Sequence, residues 1–266
     1  MSNNNILNVS PEQKASLAAT LTAFNEDNFV TALYNNISSA ISDIEKSADK
    51  YYCEDEDKIT NLLALYLRAK GYDATEQTKS NGDVDLTVRD ATKNFYWLAE
   101  AKRGNSNSGV FEGMLQLVTR YLTDEKNAGF LIYYQKKDCL KFLKTWHDYI
   151  NTGKYLSYKG IKNDIEECKH YFHINPAVTP LAKDVKFFDY EATKKSGQPV
   201  KIRNFIANLH HKPIDKSGRG NASLVNGQAR LKVIADCDSW LHDDKNPDDI
   251  AAFFEALKKI HPEYFQ

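Results

Sequence analysis

No apolar run in this 266-residue chain reaches the roughly 20 residues that a membrane-spanning helix needs, so no membrane association is expected. Cysteine is scarce. The four residues, Cys53, Cys139, Cys168 and Cys237, show neither the pairing of a disulfide framework nor the spacing of a zinc site. Cys168, His170 and His173 lie close together, but HYFHI reads as a strand over 170–175 rather than as zinc ligands. The opening MSNNNILNVSPEQ lacks the charged start and apolar core of a secretory signal, so a cytoplasmic location is expected. Excess charge of one sign is also missing: 35 basic residues face 36 acidic ones, for a net charge of -1. Composition alone therefore does not advertise a nucleic-acid binder. There is no internal repeat, no low-complexity segment, no Walker loop, no helicase motif and no methyltransferase signature.

What is present suits a globular protein. Hydrophobic residues make up 42% of the chain, enough for a core, and the length fits one large domain or a domain with an appendage. Residues 10–50 read as two helices, the first capped at Ser10-Pro11 with Leu17, Leu21 and Phe24, the second from about Asn28 with Leu33, Ile37, Ile41 and Ile44. Amphipathic spacing predicts a further helix over 138–151. Strands are expected at 170–175, 185–191 and 200–209, with a turn at Ser196 to Pro199. A Gly-containing basic loop is expected at 213–223 and a last helix from Pro247 to about Ile260. Basic residues gather between Lys183 and Lys232, a stretch that reads equally as a phosphate-contacting surface or a solvated loop region.

The chemistry concentrates in residues 81–103, NGDVDLTVRDATKNFYWLAEAKR. Alternation predicts two strands joined by a polar turn over Arg89 to Asn94. Val84, Leu86 and Val88 then share one face, and Asp83, Asp85 and Thr87 the other. On the next strand Trp97, Ala99 and Ala101 oppose Leu98, Glu100 and Lys102. Two carboxylates, Asp85 and Glu100, and the Lys102 ammonium thus converge. Paired carboxylates can hold a hard divalent cation, and an adjacent amine can orient an attacking water. The plain reading of the same residues is a solvated face with a cross-strand ion pair. Acid-x-Lys alone carries little weight, since it recurs at Glu12/Lys14, Asp124/Lys126, Glu167/Lys169, Asp184/Lys186 and Asp243/Lys245. None of these has the upstream Gly-x-Val-Asp-Leu run.

The flanks supply context. In 54–72, Ile59, Leu62, Leu63 and Tyr66 recur at helical spacing and Gly71 stops the helix. Glu56 lies near its apolar face, although acids in a first turn also simply favour the helix dipole. A short strand over Ala74 to Thr78 follows. After the hairpin, Phe111, Met114, Leu115, Val118 and Leu122 form a helical stripe with Gln116 beside it, and 128–134 suits a buried strand.

Taken together these residues resemble the PD-(D/E)xK, or restriction-endonuclease-like, nuclease superfamily: an acid on one strand (Asp85) and Glu-x-Lys on the next (Glu100, Lys102), after a helix that often carries a glutamate (Glu56). Many members place a glutamine and a tyrosine on the following helix with three residues between them. Here Gln116 and Tyr121 have four between them, and Arg120 takes the expected tyrosine position. The resemblance implies an α/β fold with a mixed central sheet flanked by helices. The expected arrangement is an N-terminal helical segment (1–50), the nuclease core (51–150) and a β-rich C-terminal extension (151–266).

It also implies metal-dependent phosphodiester hydrolysis, with DNA as the leading substrate. Mg2+ or Mn2+ would be held by Asp85, Glu100 and the carbonyl of Ala101, with Lys102, Glu56 and Gln116 completing the site. With no motor or sensor motif present, the chain looks like the cutting subunit of an antiphage defence or restriction system, directed by a partner ATPase, helicase or sensor, with a homodimer as the default assembly. Two rivals remain: a catalytically inactive module of the same fold that binds nucleic acid or a partner protein, and a structure-specific repair enzyme.

Overall fold

The computed structural model describes Ser10 and residues 25–79, 82–92, 94–175, 177–215 and 221–265. The first expected helix, with Leu17, Leu21 and Phe24, lies outside the described residues. The second is α1 (Glu26–Lys46). The Asn25 side chain accepts from the Asn28 N–H, and Glu26 and Asp27 occupy the first turn, which satisfies an open amide and suits the helix dipole. Its stripe of Phe29, Leu33, Ile37, Ile41 and Ile44 is buried, each such side chain contributing roughly 1.5–3 kcal/mol. A one-turn helix (Ala48–Tyr51) leads into α2 (Glu56–Ala69).

Six strands form one mixed sheet. They are β1 (Asp73–Lys79), β2 (Asp83–Arg89), β3 (Tyr96–Arg103), β4 (Asn127–Tyr134), β5 (Phe187–Thr193) and β6 (Pro199–Asn208), in the order β1-β2-β3-β4-β6-β5. The β3, β4 and β6 strands run parallel, and the other neighbours antiparallel. Helices α1 and α2 cover one face, packing on Leu86, Val88, Trp97, Ala99, Ala101, Leu131 and Tyr133. The other face carries Leu98, Phe130, Ile132, Ile202 and Ile206 beneath α3 (Asn107–Gln116) and α4 (Cys139–Asn151). Successive residues of β4 alternate between the two cores, the period-2 pattern of a strand buried on both sides.

Several expectations are corrected. Residues 170–175 are not a strand. The chain forms α5 (Ile165–Tyr171), with Glu166 and Glu167 in its first turn and Lys169 and His170 in its last, the charge order a helix dipole favours. Only Phe172 makes a bridge, to Ala192. The C-terminal portion is not a β-rich extension: β5 and β6 complete the central sheet, and its other regular elements among the described residues are helices. Helix α6 (Ala222–Asp243) was not anticipated, because its apolar residues follow no single stripe. The last helix, α7 (Ile250–Ile260), starts three residues later than the expected Pro247, with Asp249 capping it. Among the described residues no helix is long and apolar enough to cross a membrane.

Candidate active site

Glu100 and Lys102 sit near the end of β3 on the α3 face, opposite Phe130 and Ile132 of β4. Asp85 arrives from β2 through a break in the ladders. Pairing of β2 with β3 stops at Leu86 opposite Ala99. Pairing with β1 skips from Glu76–Leu86 to Thr78–Val84, and the intervening Gln77 has φ +48°. Left-handed backbone at a non-glycine residue is costly and marks a constrained point. The distortion turns Val84 into the α3-side core, away from Leu86 and Val88, so the expected three-residue face does not hold. It also frees Asp85 Oδ2 to accept from the Ala101 N–H at 2.8 Å. Because N–H and C=O of one strand residue point to the same edge, the Ala101 carbonyl opens toward this same gap.

The charges are tightly coupled. Lys102 Nζ donates to Glu100 Oε1 at 2.7 Å and lies 3.6 Å from Glu56 Oε1. Glu56 Oε2 accepts from the Arg103 N–H at 2.8 Å. Glu100 is only 2% exposed, and its Oε2 is buried without a donor. The Asp85 carboxyl is close enough to share a proton with it. Burial first, and then Asp85, push the Glu100 carboxyl up to about 8 despite Lys102. Burial likewise raises Asp85 and Glu56. Burial works against the Lys102 ammonium, but Glu56, Glu100 and Asp85 outweigh it and hold its pKa above the usual lysine value.

Four adjacent acids open α2, and the fold gives them different tasks. Glu54 pairs with Lys58, Asp55 caps the helix through the Lys58 N–H, and Asp57 is exposed. Glu56 turns inward to the end of β3. Helix α3 supplies the space for Lys102: a Cβ built on Gly113 would lie 2.5 Å from Lys102 Cγ and 2.7 Å from Cε. Gln116 lies one turn further along, in a groove with Arg120, Ile161 and Asp164.

After Gln116 the helix widens into a π turn over Leu117–Tyr121, closed by Leu122 N–H to Leu117 O at 3.1 Å. The wider turn absorbs one residue. Arg120 is exposed and Tyr121 is buried, where its hydroxyl feels Glu100 and Asp85. Tyr121, not Arg120, therefore faces the carboxylates. The spacing of Gln116 and Tyr121 gave no sign of this.

A cleft of about 410 Å³ reaches Glu56, Lys102 and Arg103, and its far wall is α6 through Ile234, Asp238 and His242. Asp85 and Glu100 lie behind Lys102 and do not line it. Asp238 holds α6 in place by accepting from Ser106 Oγ at 2.8 Å. The guanidinium Nε of Arg103 is buried without an acceptor among the described residues.

The expected basic surface is largely consumed by internal pairing. Lys186 binds Glu45, Lys201 and Arg203 bind Asp189, and buried Lys194 donates to the Glu125 carbonyl. Lys216 and Arg219 lie outside the described residues.

No family model, curated protein or solved structure matches the chain. Among the described residues no three His, Cys, Asp or Glu side chains close around a point that would enclose a metal by themselves. The donors at hand are two closely coupled carboxylates and a strand carbonyl. Oxygen donors of this kind suit a hard cation, and the donorless Glu100 Oε2 is an atom such a cation would satisfy.

Proposed function

We propose that this chain is a metal-dependent nuclease of the PD-(D/E)xK type, with DNA as its leading substrate. The observation that carries the reading is the coupled pair of half-buried Asp85 and buried Glu100, with Lys102 bonded to Glu100 Oε1 and Glu100 Oε2 left without a donor. Two carboxylates coupled this closely need a shared proton or a cation. The mixed sheet, with acids on β2 and β3 and a glutamate at the start of α2, fits the restriction-endonuclease-like arrangement.

When bound, Mg2+ or Mn2+ would polarise a phosphate and lower the pKa of a coordinated water. Asp85, Glu100 and the Ala101 carbonyl offer oxygens for it. Lys102 holds the attacking water in line and offsets charge that builds on the phosphate oxygens. Glu56 steadies Lys102 and, through the Arg103 N–H, fixes the end of β3. Arg103 lines the cleft with a positive charge that suits a phosphate. Tyr121 borders the carboxylates from the α3 side. We further propose that the chain is the cutting subunit of an antiphage defence or restriction system, since it carries no motor motif of its own.

The test is incubation with supercoiled plasmid, linear duplex, single strands and RNA, each with Mg2+, Mn2+ or chelator. Cleavage is expected with metal only, and neither Glu100→Ala nor Lys102→Ala should cut. A variant cutting at the wild-type rate would remove the assignment. Robust cleavage by the purified chain alone would remove dependence on a partner.

A further inference from the structure

A second cavity, of about 550 Å³, lies beside the candidate cleft and shares Asn105 with it. One wall is made by residues that immediately follow the parallel strands β3, β4 and β6, including Asn105, Lys136, Lys137, His210 and Lys212. Open sheets bind ligands at the carboxyl ends of parallel strands. The other wall is α6, through Leu231 and Lys232. Its size suits a single small ligand.

Its charge is distinctive in a chain of net charge -1. Lys137 and Lys212 have no ion-pair partner among the described residues, and both act electrostatically on His210. Burial and these two lysines lower the His210 pKa, so its ring is a neutral hydrogen-bonding group at pH 7. Lys136 donates to the Asn105 carbonyl at 3.1 Å, which places an ammonium where the two cavities meet. Lys232 is paired with Asp236. Tyr52, edge-on to His210 at 5.7 Å between ring centroids, and Leu231 provide apolar surface beside the cations. The Gln135 amide donates to the Tyr51 and Glu54 carbonyls, tying this floor to the segment that leads into Glu56 at the start of α2.

We propose that this pocket binds one unpaired nucleotide of a single-stranded substrate, with its phosphate on Lys137 and Lys212 and its base against Tyr52 and Leu231. The role of the pocket in cleavage rests on the nuclease reading; the binding itself does not. Helix α6 forms the outer wall, and a complementary strand would need the space it occupies. Cationic side chains beside aromatic and apolar surface are the usual means of holding single strands.

The test uses the full chain in chelator, so that no cleavage occurs. A fluorescein-labelled oligothymidylate, a duplex of equal length and thymidine monophosphate are titrated while anisotropy or competition is followed. The double variant Lys137→Glu, Lys212→Glu is compared with the double variant Lys154→Glu, Lys195→Glu. The latter makes the same change in net charge on exposed positions away from the pocket. Melting temperatures check that both fold.

The wild type should bind the single strand more tightly than the duplex. The pocket variant should lose at least about tenfold in affinity, and its log–log salt slope should shrink by about 0.7, the value for one phosphate no longer neutralised. The control should stay near wild type. Equal binding by wild type and pocket variant, equal loss in both double variants, or preference for duplex overturns the proposal. Lysine-dependent binding of thymidine monophosphate without strand binding overturns it in favour of a free-nucleotide site. Lysine-dependent strand binding without cleavage in Mg2+ sustains the pocket while the nuclease reading fails. Cleavage with lysine-independent binding leaves the nuclease reading standing and removes the pocket.

Discussion

Replacing Gly113 with alanine adds one methyl group to α3 at the point where Lys102 crosses it. That carbon would sit 2.5 Å from Lys102 Cγ, 2.7 Å from Cε and 3.1 Å from Cδ, against an optimum of about 3.5–4.0 Å between carbons. Lys102 must therefore shift by about 1 Å, and Nζ cannot keep both its 2.7 Å bond to Glu100 and its approach to Glu56. A displacement of that size at a reacting centre costs about 10²-fold in rate, or about 2.7 kcal/mol of barrier. The fold should survive, because alanine in a helix gains roughly 0.5–1 kcal/mol over glycine, against roughly 1–3 kcal/mol for the added bulk. The assay is single-turnover cleavage of a labelled oligonucleotide in Mg2+, with chemical denaturation alongside. kcat should fall about a hundredfold at nearly constant KM. Combining Gly113→Ala with Lys102→Ala should add no further loss, since both act through one ammonium. A Gly113→Ala protein that cleaves within threefold of wild type would refute the role assigned to Lys102.

Two other perturbations follow from the same contacts. Glu100 keeps its proton up to about pH 8 in the fold, against an ordinary value of 4.5. Its contribution to metal-free stability is therefore full below about pH 4.5 and is lost as pH rises through about 8. Glu100→Gln should flatten that window and raise metal-free stability at pH 7 by at most roughly 3 kcal/mol, less whatever the Lys102 contact is worth; a lower melting temperature at pH 7 would contradict this. Gly129→Ala would place a Cβ 2.0 Å from Trp97 Cζ2, inside a core with no room to yield. It should destabilise by roughly 1–3 kcal/mol or more, read as a fall in urea midpoint, and wild-type stability would show that Trp97 is not packed there.

The parts of the site that were legible in the sequence are those set by local pattern. Period-2 alternation placed Glu100 and Lys102 on one face of β3, and helical spacing placed Glu56 at the head of α2, where the fold separates it from Glu54, Asp55 and Asp57. Deviations from regular backbone were not legible. The left-handed Gln77 opposite the unpaired Asp85 has no compositional mark, because the break lies in pairing between strands. The π turn that brings Tyr121 rather than Arg120 to the carboxylates is likewise a matter of hydrogen bonding. Gly113 could have been noticed: a glycine inside a helix costs stability and invites the question of what approaches it. Helix α6 escaped because it borders clefts instead of a core and so carries no apolar stripe. HYFHI misled because five alternating residues are too few to outweigh the helix dipole of the preceding acids.

The central claim is that Asp85 and Glu100 share one divalent cation. Isothermal titration of Mn2+ into the chelator-treated chain tests it most directly. The account predicts a saturable site that Asp85→Asn and Glu100→Gln each abolish while both variants remain folded; no binding to the wild type, or equal binding to the variants, would contradict it.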